Sequence, residues 1–297
     1  YGQLGYGGNQ SLYFPRVLKD LKSVVELGAG SNHTCALLAG GSVRCWGRGD
    51  VGALGNGGKK HGYVSVAVKG LSDAVSVGVG RDFNCAVRKT GSVVCWGSGP
   101  HYQMGDGSKS NRYTPVTVKG VVHAVAVAAG YNHACALRQD GYVFCWGTGT
   151  YGSFGNANLT GVSSAAKMVP GLAGVQAIDA GDYRTCIVRK GGQVFCFGYN
   201  VNGTLGNGNT KSGPDHVAPK GLSDVRQIDT RGYHSCARTG SKGTVWCWGR
   251  GSEGQLGDGG KKSSLVPKKI YAGGRLVSLA VGDYHSCAVT TAGNVRC

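Results

Sequence analysis

Residues 46–95 read WGRGDVGALGNGGKKHGYVSVAVKGLSDAVSVGVGRDFNCAVRKTGSVVC, and this stretch is one copy of a repeat that recurs along the chain. Within it, residues 64–68 are apolar at every second position, and residues 74–79 form an apolar run that ends at Gly80. Two more short segments, 85–88 and 92–95, flank the turn Lys89-Thr90-Gly91. Such runs, bounded by glycine, predict β-strands. Four short strands per period of about 50 residues are typical of a β-propeller blade.

The cysteines define the period of this repeat. Six of them recur at intervals of 50 or 51 residues, and each has a second cysteine ten or eleven residues later, which gives the pairs Cys35/Cys45, Cys85/Cys95, Cys135/Cys145, Cys186/Cys196, Cys236/Cys247 and Cys287/Cys297. The predicted fold class is therefore all-β: a β-propeller of six blades, each of four antiparallel strands. The predicted single domain spans 1–297, with repeats at about 1–45, 46–95, 96–145, 146–196, 197–247 and 248–297.

The paired cysteines predict six disulfide bonds. A turn centred between two cysteines ten residues apart places them opposite each other on adjacent antiparallel strands, where Cα atoms about 4.5 Å apart are within reach of a disulfide. Structural zinc favours closer cysteines in two clusters, and redox catalysis favours a Cys-x-x-Cys pair, so no metal site is predicted. Twelve paired cysteines indicate an oxidising compartment, and hence secretion or an extracellular location.

Three further motifs recur at fixed positions. An aromatic residue and a glycine follow the second cysteine, as in Trp46-Gly47 and Phe197-Gly198. A Gly-x-Leu-Gly type segment comes next, as in Gly254-Gln255-Leu256-Gly257, and a Gly-x-x-His turn precedes the first cysteine, as in residues 130–133. Phe83 and Arg184 replace the histidine in two repeats.

Together these motifs resemble the repeat of the regulator of chromosome condensation family, along the whole chain. The resemblance implies a propeller, commonly of seven blades, so a seventh blade would have to lie outside this chain. The ends favour six, because Tyr1 falls about five residues into a repeat and Cys297 stands where the next Trp-Gly would begin. Family members include a nuclear nucleotide-exchange factor and secreted bacterial inhibitors of β-lactamase, so the fold alone does not define the function.

Net charge is the main functional signal, since 32 basic and 15 acidic residues give +17. An anionic partner is compatible with this charge. One predicted face gathers loop lysines at Lys59, Lys60, Lys109, Lys211, Lys261 and Lys262. Other lysines recur on the opposite face, which disfavours a single nucleic-acid groove. Four tyrosines lie near the Gly-x-x-His turns and are candidate contact residues: Tyr131, Tyr183, Tyr233 and Tyr284. Packing between blades is the alternative role for them.

No catalytic constellation is evident in the sequence. The histidines recur at one repeat position, where a turn-stabilising hydrogen bond is expected rather than general-base chemistry. No cofactor motif follows a strand-to-helix pattern, and no apolar run is long enough to form a membrane helix. Glycosylation sequons in glycine-rich loops begin at Asn9, Asn158 and Asn202.

The sequence thus predicts a secreted binding or scaffolding protein without enzymatic activity. Its propeller faces would contact a protein partner or build an extracellular assembly. One alternative is a binder of anionic polysaccharide or another polyanion, and a second is a secreted enzyme inhibitor that resembles the β-lactamase inhibitory propellers.

Overall fold

The computed structural model describes residues 1–159, 161–270 and 275–297. It divides into two compact units. The first comprises Tyr1–Gln139, Phe144–Thr148 and Val162–Met168, and the second comprises Asp140–Val143, Gly149–Gly161 and Val169–Cys297. The single domain expected from the sequence stays a prediction.

Antiparallel β-sheets make up nearly all of the regular structure. The first sheet consists of β1 Val24–Ala29, β2 His33–Leu38, β3 Val43–Gly47 and β4 Gly62–Ala67. The second consists of β5 Ala74–Val79, β6 Phe83–Arg88, β7 Val93–Gly97 and β8 Arg112–Thr117. The third consists of β9 Ala124–Ala129, β10 His133–Arg138, β11 Val143–Thr148 and β12 Val162–Met168. A short 3₁₀ helix at Thr150–Gly152 is the only helix in the described part of the chain.

The remaining three sheets follow the same strand order. The fourth sheet consists of β13 Val175–Ala180, β14 Arg184–Arg189, β15 Val194–Gly198 and β16 Gly213–Val217. The fifth consists of β17 Val225–Arg231, β18 His234–Thr239, β19 Thr244–Gly249 and β20 Ser264–Ile270. The sixth consists of β21 Leu276–Val281, β22 Ser286–Thr290 and β23 Val295–Arg296. These six sheets are blades of the β-propeller type, as predicted. From the second sheet onwards, each sheet begins 28 or 29 residues after the aromatic residue of the Trp-Gly or Phe-Gly pair, so a sequence repeat such as 46–95 contributes strands to two successive sheets.

The four strands expected per blade are confirmed for five sheets, whereas the sixth has three. Residues 12–17 stand fifty positions before β4 in the repeat but belong to no strand. Their side chains include Tyr13 and Phe14, which are 94% and 82% exposed. The expectation that the two ends of the chain complement each other stays a prediction.

The hydrophobic core lies between consecutive sheets. In the first unit, Cys35 and Val43 of the first sheet pack with Val77 and Val79 of β5 in the second sheet. Each of these four residues is at most 8% exposed. Gly47 has a positive φ of 102° and lies so close to the backbone of Asn32 that a side chain would clash. This close approach explains the glycine that follows each aromatic residue.

All six predicted disulfides are present. The bridges are Cys35–Cys45, Cys85–Cys95, Cys135–Cys145, Cys186–Cys196, Cys236–Cys247 and Cys287–Cys297, and in every pair the Cα atoms lie 4.0 to 4.1 Å apart. In the first, second, fourth and fifth sheets the two cysteines face each other directly in the register of the central strands. The fifth pair keeps this register despite its longer spacing, because the additional residue lies in the turn.

Most of the bridged cysteines belong to the core rather than to a surface. Cys45, Cys145 and Cys196 are each 0% exposed. Cys45 packs in the cluster that contains Trp96, and Cys196 packs in the one that contains Trp248. These sulfur atoms are out of reach of a partner, so these three bridges are structural and form no part of a binding face.

Candidate functional site

We call a joint the contact between a Gly-x-Leu-Gly type segment and the next sheet along the chain. In the joints the repeat motifs meet at one backbone carbonyl. The indole Nε1–H of the Trp-Gly tryptophan donates to the carbonyl of the second residue of the Gly-x-Leu-Gly segment. The pairs are Trp46 with Gln3 (2.7 Å), Trp96 with Ala53 (3.1 Å), Trp146 with Gln103 (2.8 Å) and Trp248 with Thr204 (2.8 Å). The residue before the first cysteine donates to the same carbonyl in several joints, for example Asn84 to Ala53 at 2.8 Å. The family motifs therefore join sheets rather than form a surface site.

The histidines at the repeat position also form these joints. The Nε2 atom of His33 lies 2.8 Å from Oδ1 of Asn84, and that of His234 lies 2.8 Å from Oγ of Ser286. Each contact links one sheet to the next rather than stabilising its own turn. Burial, followed by the charge of Arg184, lowers the pKa of His234 to about 3, so this imidazole stays neutral and is no general base near neutral pH.

Arg184 takes the histidine position in the fourth sheet and is fully buried. Its guanidinium donates to the carbonyls of Gly232 at 2.8 Å and Arg231 at 3.2 Å. Burial lowers its pKa to about 10, so the group remains a cation. Hydrogen bonds to carbonyl oxygens offset part of the cost of burying that charge.

Two aspartates near Arg184 occupy a position where the other sheets carry glycine or alanine. Asp179 accepts a hydrogen bond from the backbone of Thr230 at 2.6 Å, and Asp229 accepts one from Val281 at 3.3 Å. Burial raises the pKa of Asp179 to about 6. Burial and the neighbouring charge of Asp179 also raise the pKa of Asp229. Both carboxyl groups thus link the first strand of one sheet to the first strand of the next, β13 to β17 and β17 to β21.

The second unit carries a surface cluster of aromatic side chains, which we call the tyrosine row. Its members are Tyr151, Tyr183, Tyr199, Tyr233 and Tyr284. Ring centroids are 5.1 Å apart for Tyr151 and Tyr199, and 5.8 Å apart for Tyr199 and Tyr233. Arg250 then lies 6.0 Å from the ring of Tyr233 and 5.8 Å from that of Tyr284. The row is continuous; Tyr151 and Tyr284 are 50% and 58% accessible, and the other three rings are half-buried.

The tyrosine row contains three of the four predicted contact tyrosines, Tyr183, Tyr233 and Tyr284. Tyr131 lies in the first unit instead, where the guanidinium of Arg81 stacks 3.9 Å from its ring centroid. Tyr151, Tyr199 and Arg250 were not predicted from the sequence. A signal for two of them was available, because Tyr199 and Arg250 each directly follow the aromatic-glycine pair of their repeat.

The six candidate lysines are all exposed, but none is in contact with a ring of the tyrosine row. Lys59 lies 5.2 Å from the ring of Tyr113, and Lys109 lies 5.2 Å from that of Tyr102. Lys211 accepts a hydrogen bond at its backbone carbonyl from Asn200. Lys60, Lys261 and Lys262 are exposed loop residues. The lysines and the tyrosine row are thus separate surface features.

The sequons differ in exposure. Asn9 and Asn158 are exposed, and Asn202 is half-buried. Thr160, the third residue of the Asn158 sequon, lies outside the described residues. Glycosylation at these positions stays a prediction.

Within the described ranges, no group of three or more His, Cys, Asp or Glu side chains could hold a metal ion. No helix of the described chain is long and apolar enough to cross a membrane.

Sheets of this order, joined by tryptophan and histidine contacts and stapled by disulfides, define a β-propeller-type repeat protein. A model of the regulator of chromosome condensation (RCC1) repeat matches residues 1–37, 90–137, 191–238 and 242–289. A second RCC1 repeat model matches 24–53, 74–103, 124–153, 175–204 and 225–255. The chain belongs to the regulator of chromosome condensation repeat family.

Curated relatives match part of the chain. The mitochondrial RCC1 domain-containing protein RUG3 of Arabidopsis thaliana is 34% identical over 139 residues, which is 46% of this chain and 31% of that protein. The ultraviolet-B receptor UVR8 of the same plant is 36% identical over 118 residues, 38% of this chain and 27% of the receptor. The chain therefore spans less than a third of the length of these relatives.

Solved structures share the fold at low identity. Human WBSCR16 has a TM-score of 0.80 at 21% identity, covering 90% of this chain and 72% of its own. Prp20p from Saccharomyces cerevisiae has a TM-score of 0.76 at 23% identity, with coverages of 92% and 70%. The ectodomain of the Physcomitrella patens receptor kinase CR4 has a TM-score of 0.52 at 20% identity, with coverages of 98% and 61%. At these identities the likeness shows the fold alone.

Proposed function

We propose that this chain is a non-enzymatic binding module of an oxidising, extracellular compartment, and that it docks a protein partner on the tyrosine row. The observation that carries the proposal is the continuity of five exposed or half-buried aromatic rings with Arg250 between two of them. Tyrosine and arginine are enriched among the residues that dominate protein–protein binding energy.

The packing of the row supports this role. Tyr151 meets two neighbouring rings edge-on, at interplanar angles of 78° with Tyr183 and 67° with Tyr199, and Tyr199 and Tyr233 meet at a tilt of 56°. This arrangement limits side-chain motion before binding, so less conformational entropy is lost when a partner covers the rings. The tryptophans Trp96, Trp146 and Trp248 are fully buried in the joints and are unavailable to a partner. In contrast to these tryptophans, the rings of the row are not buried between sheets and remain accessible to a partner.

The disulfides support the proposed compartment. All twelve cysteines are paired in six bridges, and reducing compartments do not maintain such bridges. A fold of this class also occurs in the ectodomain of the CR4 receptor kinase.

A non-enzymatic role is supported by the environment of the reactive groups. The thiols are in disulfides, His33 and His234 are buried in joints, and the raised carboxyls of Asp179 and Asp229 bind backbone N–H groups. These contacts give each of the groups a structural role between strands or sheets.

The test compares retention of partners on immobilised, unreduced protein. The double variant Tyr151→Ser with Tyr199→Ser removes the centre of the row, and Tyr142→Ser is the matched control, because Tyr142 is also exposed but contacts no ring of the row. Proteins of the secreted or cell-surface fraction that the wild type and the control retain should bind the double variant at least tenfold more weakly, as expected for contact residues worth more than 1.4 kcal/mol. Equal retention by all three proteins contradicts the proposal.

A salt series separates this proposal from the polyanion alternative. The net charge of +17 and the exposed lysines favour that alternative. Contacts made by exposed lysines weaken steeply between 0.05 and 0.5 M salt, whereas docking on aromatic rings should change little over this range. A heparin column tests the polyanion alternative directly. Binding that the tyrosine variants keep would assign the polyanion function instead, if it is lost when Gln replaces four lysines, Lys59, Lys60, Lys261 and Lys262. Inhibition of an enzyme remains a special case of docking on the row.

A further inference from the structure

The tyrosine row is long and narrow. Its rings follow one another from Tyr151 through Tyr199 to Tyr233, with centroids 5.1 and 5.8 Å apart, and Arg250 bridges the step from Tyr233 to Tyr284. These steps give the row a length on the order of 20 Å, which a polyproline II helix spans with about seven residues at 3.1 Å per residue. The row therefore has the dimensions of a linear segment of a partner chain.

The area of the row also favours a segment over a folded domain. Tyr151 and Tyr284 are exposed, whereas the other three rings are half-buried. At about 200 Å² for each aromatic side chain, the five rings together expose roughly 300–400 Å². A stable interface between folded proteins covers about 800 Å² on each side, so the rings alone are too small for one. A short segment that lies along the row covers them completely.

The surface of the row is ridged rather than flat. Neighbouring ring planes are inclined by 78° for Tyr151 with Tyr183, by 54° for Tyr183 with Tyr199 and by 56° for Tyr199 with Tyr233. Ring edges and ring faces therefore alternate, and a flat ligand that stacks face to face finds no continuous platform. The pyrrolidine rings of a polyproline II helix project from a narrow rod, and proline-rich segments dock in this way between aromatic side chains.

The polar groups of the row supply hydrogen-bond donors. Each tyrosine carries a phenol O–H, and Arg250 carries the N–H groups of its guanidinium. Burial, followed by the neighbouring phenols of Tyr233 and Tyr151, raises the pKa of Tyr199, so the hydroxyl of Tyr199 keeps its proton near neutral pH. A proline-rich segment is complementary to such a surface, because prolines lack the backbone N–H and the carbonyls of a polyproline II helix make no internal hydrogen bonds.

We propose that the tyrosine row binds a proline-rich segment of a partner polypeptide in the polyproline II conformation. The prolines lie between successive rings, and the carbonyls of the segment accept hydrogen bonds from the phenol hydroxyls and from Arg250. The inference rests on the proposed docking role of the row and adds the chemistry of the partner. A stiff, preformed helix loses little conformational entropy on binding, so a small surface is sufficient to hold it.

The probe is a capped nonaproline peptide with one central 4-fluoroproline, observed by fluorine NMR. The control is a capped glycine–serine peptide of the same length with the same central fluoroproline. Both peptides are uncharged, so the net charge of +17 attracts neither. We expect a dissociation constant on the order of 0.1 mM for nonaproline and at least tenfold weaker binding of the flexible control. Affinity should rise from triproline to about seven prolines and then level off, because longer peptides extend beyond the row.

Three variants localise the probe. Tyr233→Ser removes a ring from the middle of the row and should weaken nonaproline binding about tenfold. Tyr233→Phe keeps the ring and removes only the hydroxyl donor, so it should weaken binding about fivefold. Tyr142→Ser changes a tyrosine that is also exposed but lies outside the row, and it should leave binding unchanged. An unaltered urea midpoint shows that each variant is folded.

Each outcome decides the inference. Nonaproline binding that depends on Tyr233 and on peptide length supports it. No binding at about 2 mM nonaproline overturns it, as does binding that Tyr233→Ser leaves unchanged or that the flexible peptide shares. The failure of this inference is distinguishable from that of the proposed function. If partners of the secreted fraction require Tyr151 and Tyr199 while nonaproline does not bind, the docking role stands and the polyproline II partner is wrong.

Discussion

Replacing Asn84 by alanine tests whether the joints between sheets hold the first unit together. Asn84 is fully buried and occupies the centre of a joint. Its Oδ1 atom lies 2.8 Å from Nε2 of His33, and its amide donates to the carbonyl of Ala53 at 2.8 Å. The side chain thereby links residues of two sheets to a Gly-x-Leu-Gly segment.

The expected loss follows from these two contacts. Each buried hydrogen bond contributes about 1 kcal/mol net, and a polar partner left without its bond adds a further desolvation cost. The carbonyl of Ala53 keeps a second donor, the indole of Trp96 at 3.1 Å, so its loss is partial. We therefore expect Asn84→Ala to lower the free energy of unfolding by about 3 kcal/mol.

Asn84→Ser is the matched control, because serine occupies the same repeat position in the fifth and sixth sheets. There Ser235 and Ser286 reach the equivalent carbonyls at 3.1 and 2.9 Å, so a serine at position 84 should lose only about 1 kcal/mol. The assay is urea unfolding of unreduced protein followed by tryptophan fluorescence, with equal m-values required for the comparison. A loss below 0.5 kcal/mol for Asn84→Ala, or equal losses for both variants, would refute the reasoning.

Two further predictions concern the disulfides and the buried carboxyls. Cys287 is half-buried and Cys297 is exposed, whereas the other ten cysteines are at most 2% exposed. Mild reductant should therefore open Cys287–Cys297 first, as read by alkylation and peptide mass spectrometry; prior opening of a buried bridge contradicts this. The folded pKa of Asp179 is about 6, above the usual value of 3.8. Between these pH values the folded state therefore binds more protons than the unfolded state. The contribution of Asp179 to the free energy of unfolding falls as the pH rises through this range. Relative to wild type, Asp179→Asn should gain stability from pH 4 to pH 7 in urea unfolding, and a difference independent of pH would contradict the assignment.

Much of the fold follows from spacing alone. The period of the cysteines predicts the hairpins and the disulfides, because residues ten apart around a central turn must face each other on adjacent strands. The strand count of the last sheet did not follow, since a repeat boundary in the sequence does not coincide with a sheet boundary.

The candidate site was less accessible to sequence reasoning. Tyr183, Tyr233 and Tyr284 were identified because they precede the repeated histidine position. Tyr151 and Tyr199 come from other loops and meet them only in three dimensions. Arg184 could be noticed as a departure from histidine, but its bonds to carbonyls of the next sheet depend on packing that no local pattern encodes.

The disulfides have a consequence for biosynthesis. Every bridge joins cysteines ten or eleven residues apart within one hairpin, and none connects distant parts of the chain. Synthesis proceeds at about 5–20 residues per second, so the second thiol of each pair emerges within about two seconds of the first. Each correct partner is the nearest available thiol at that moment, because the next pair is still about forty residues away in the nascent chain. An oxidase acting on the nascent chain can thus close the bridges in order of appearance, without the shuffling that scattered cysteines require.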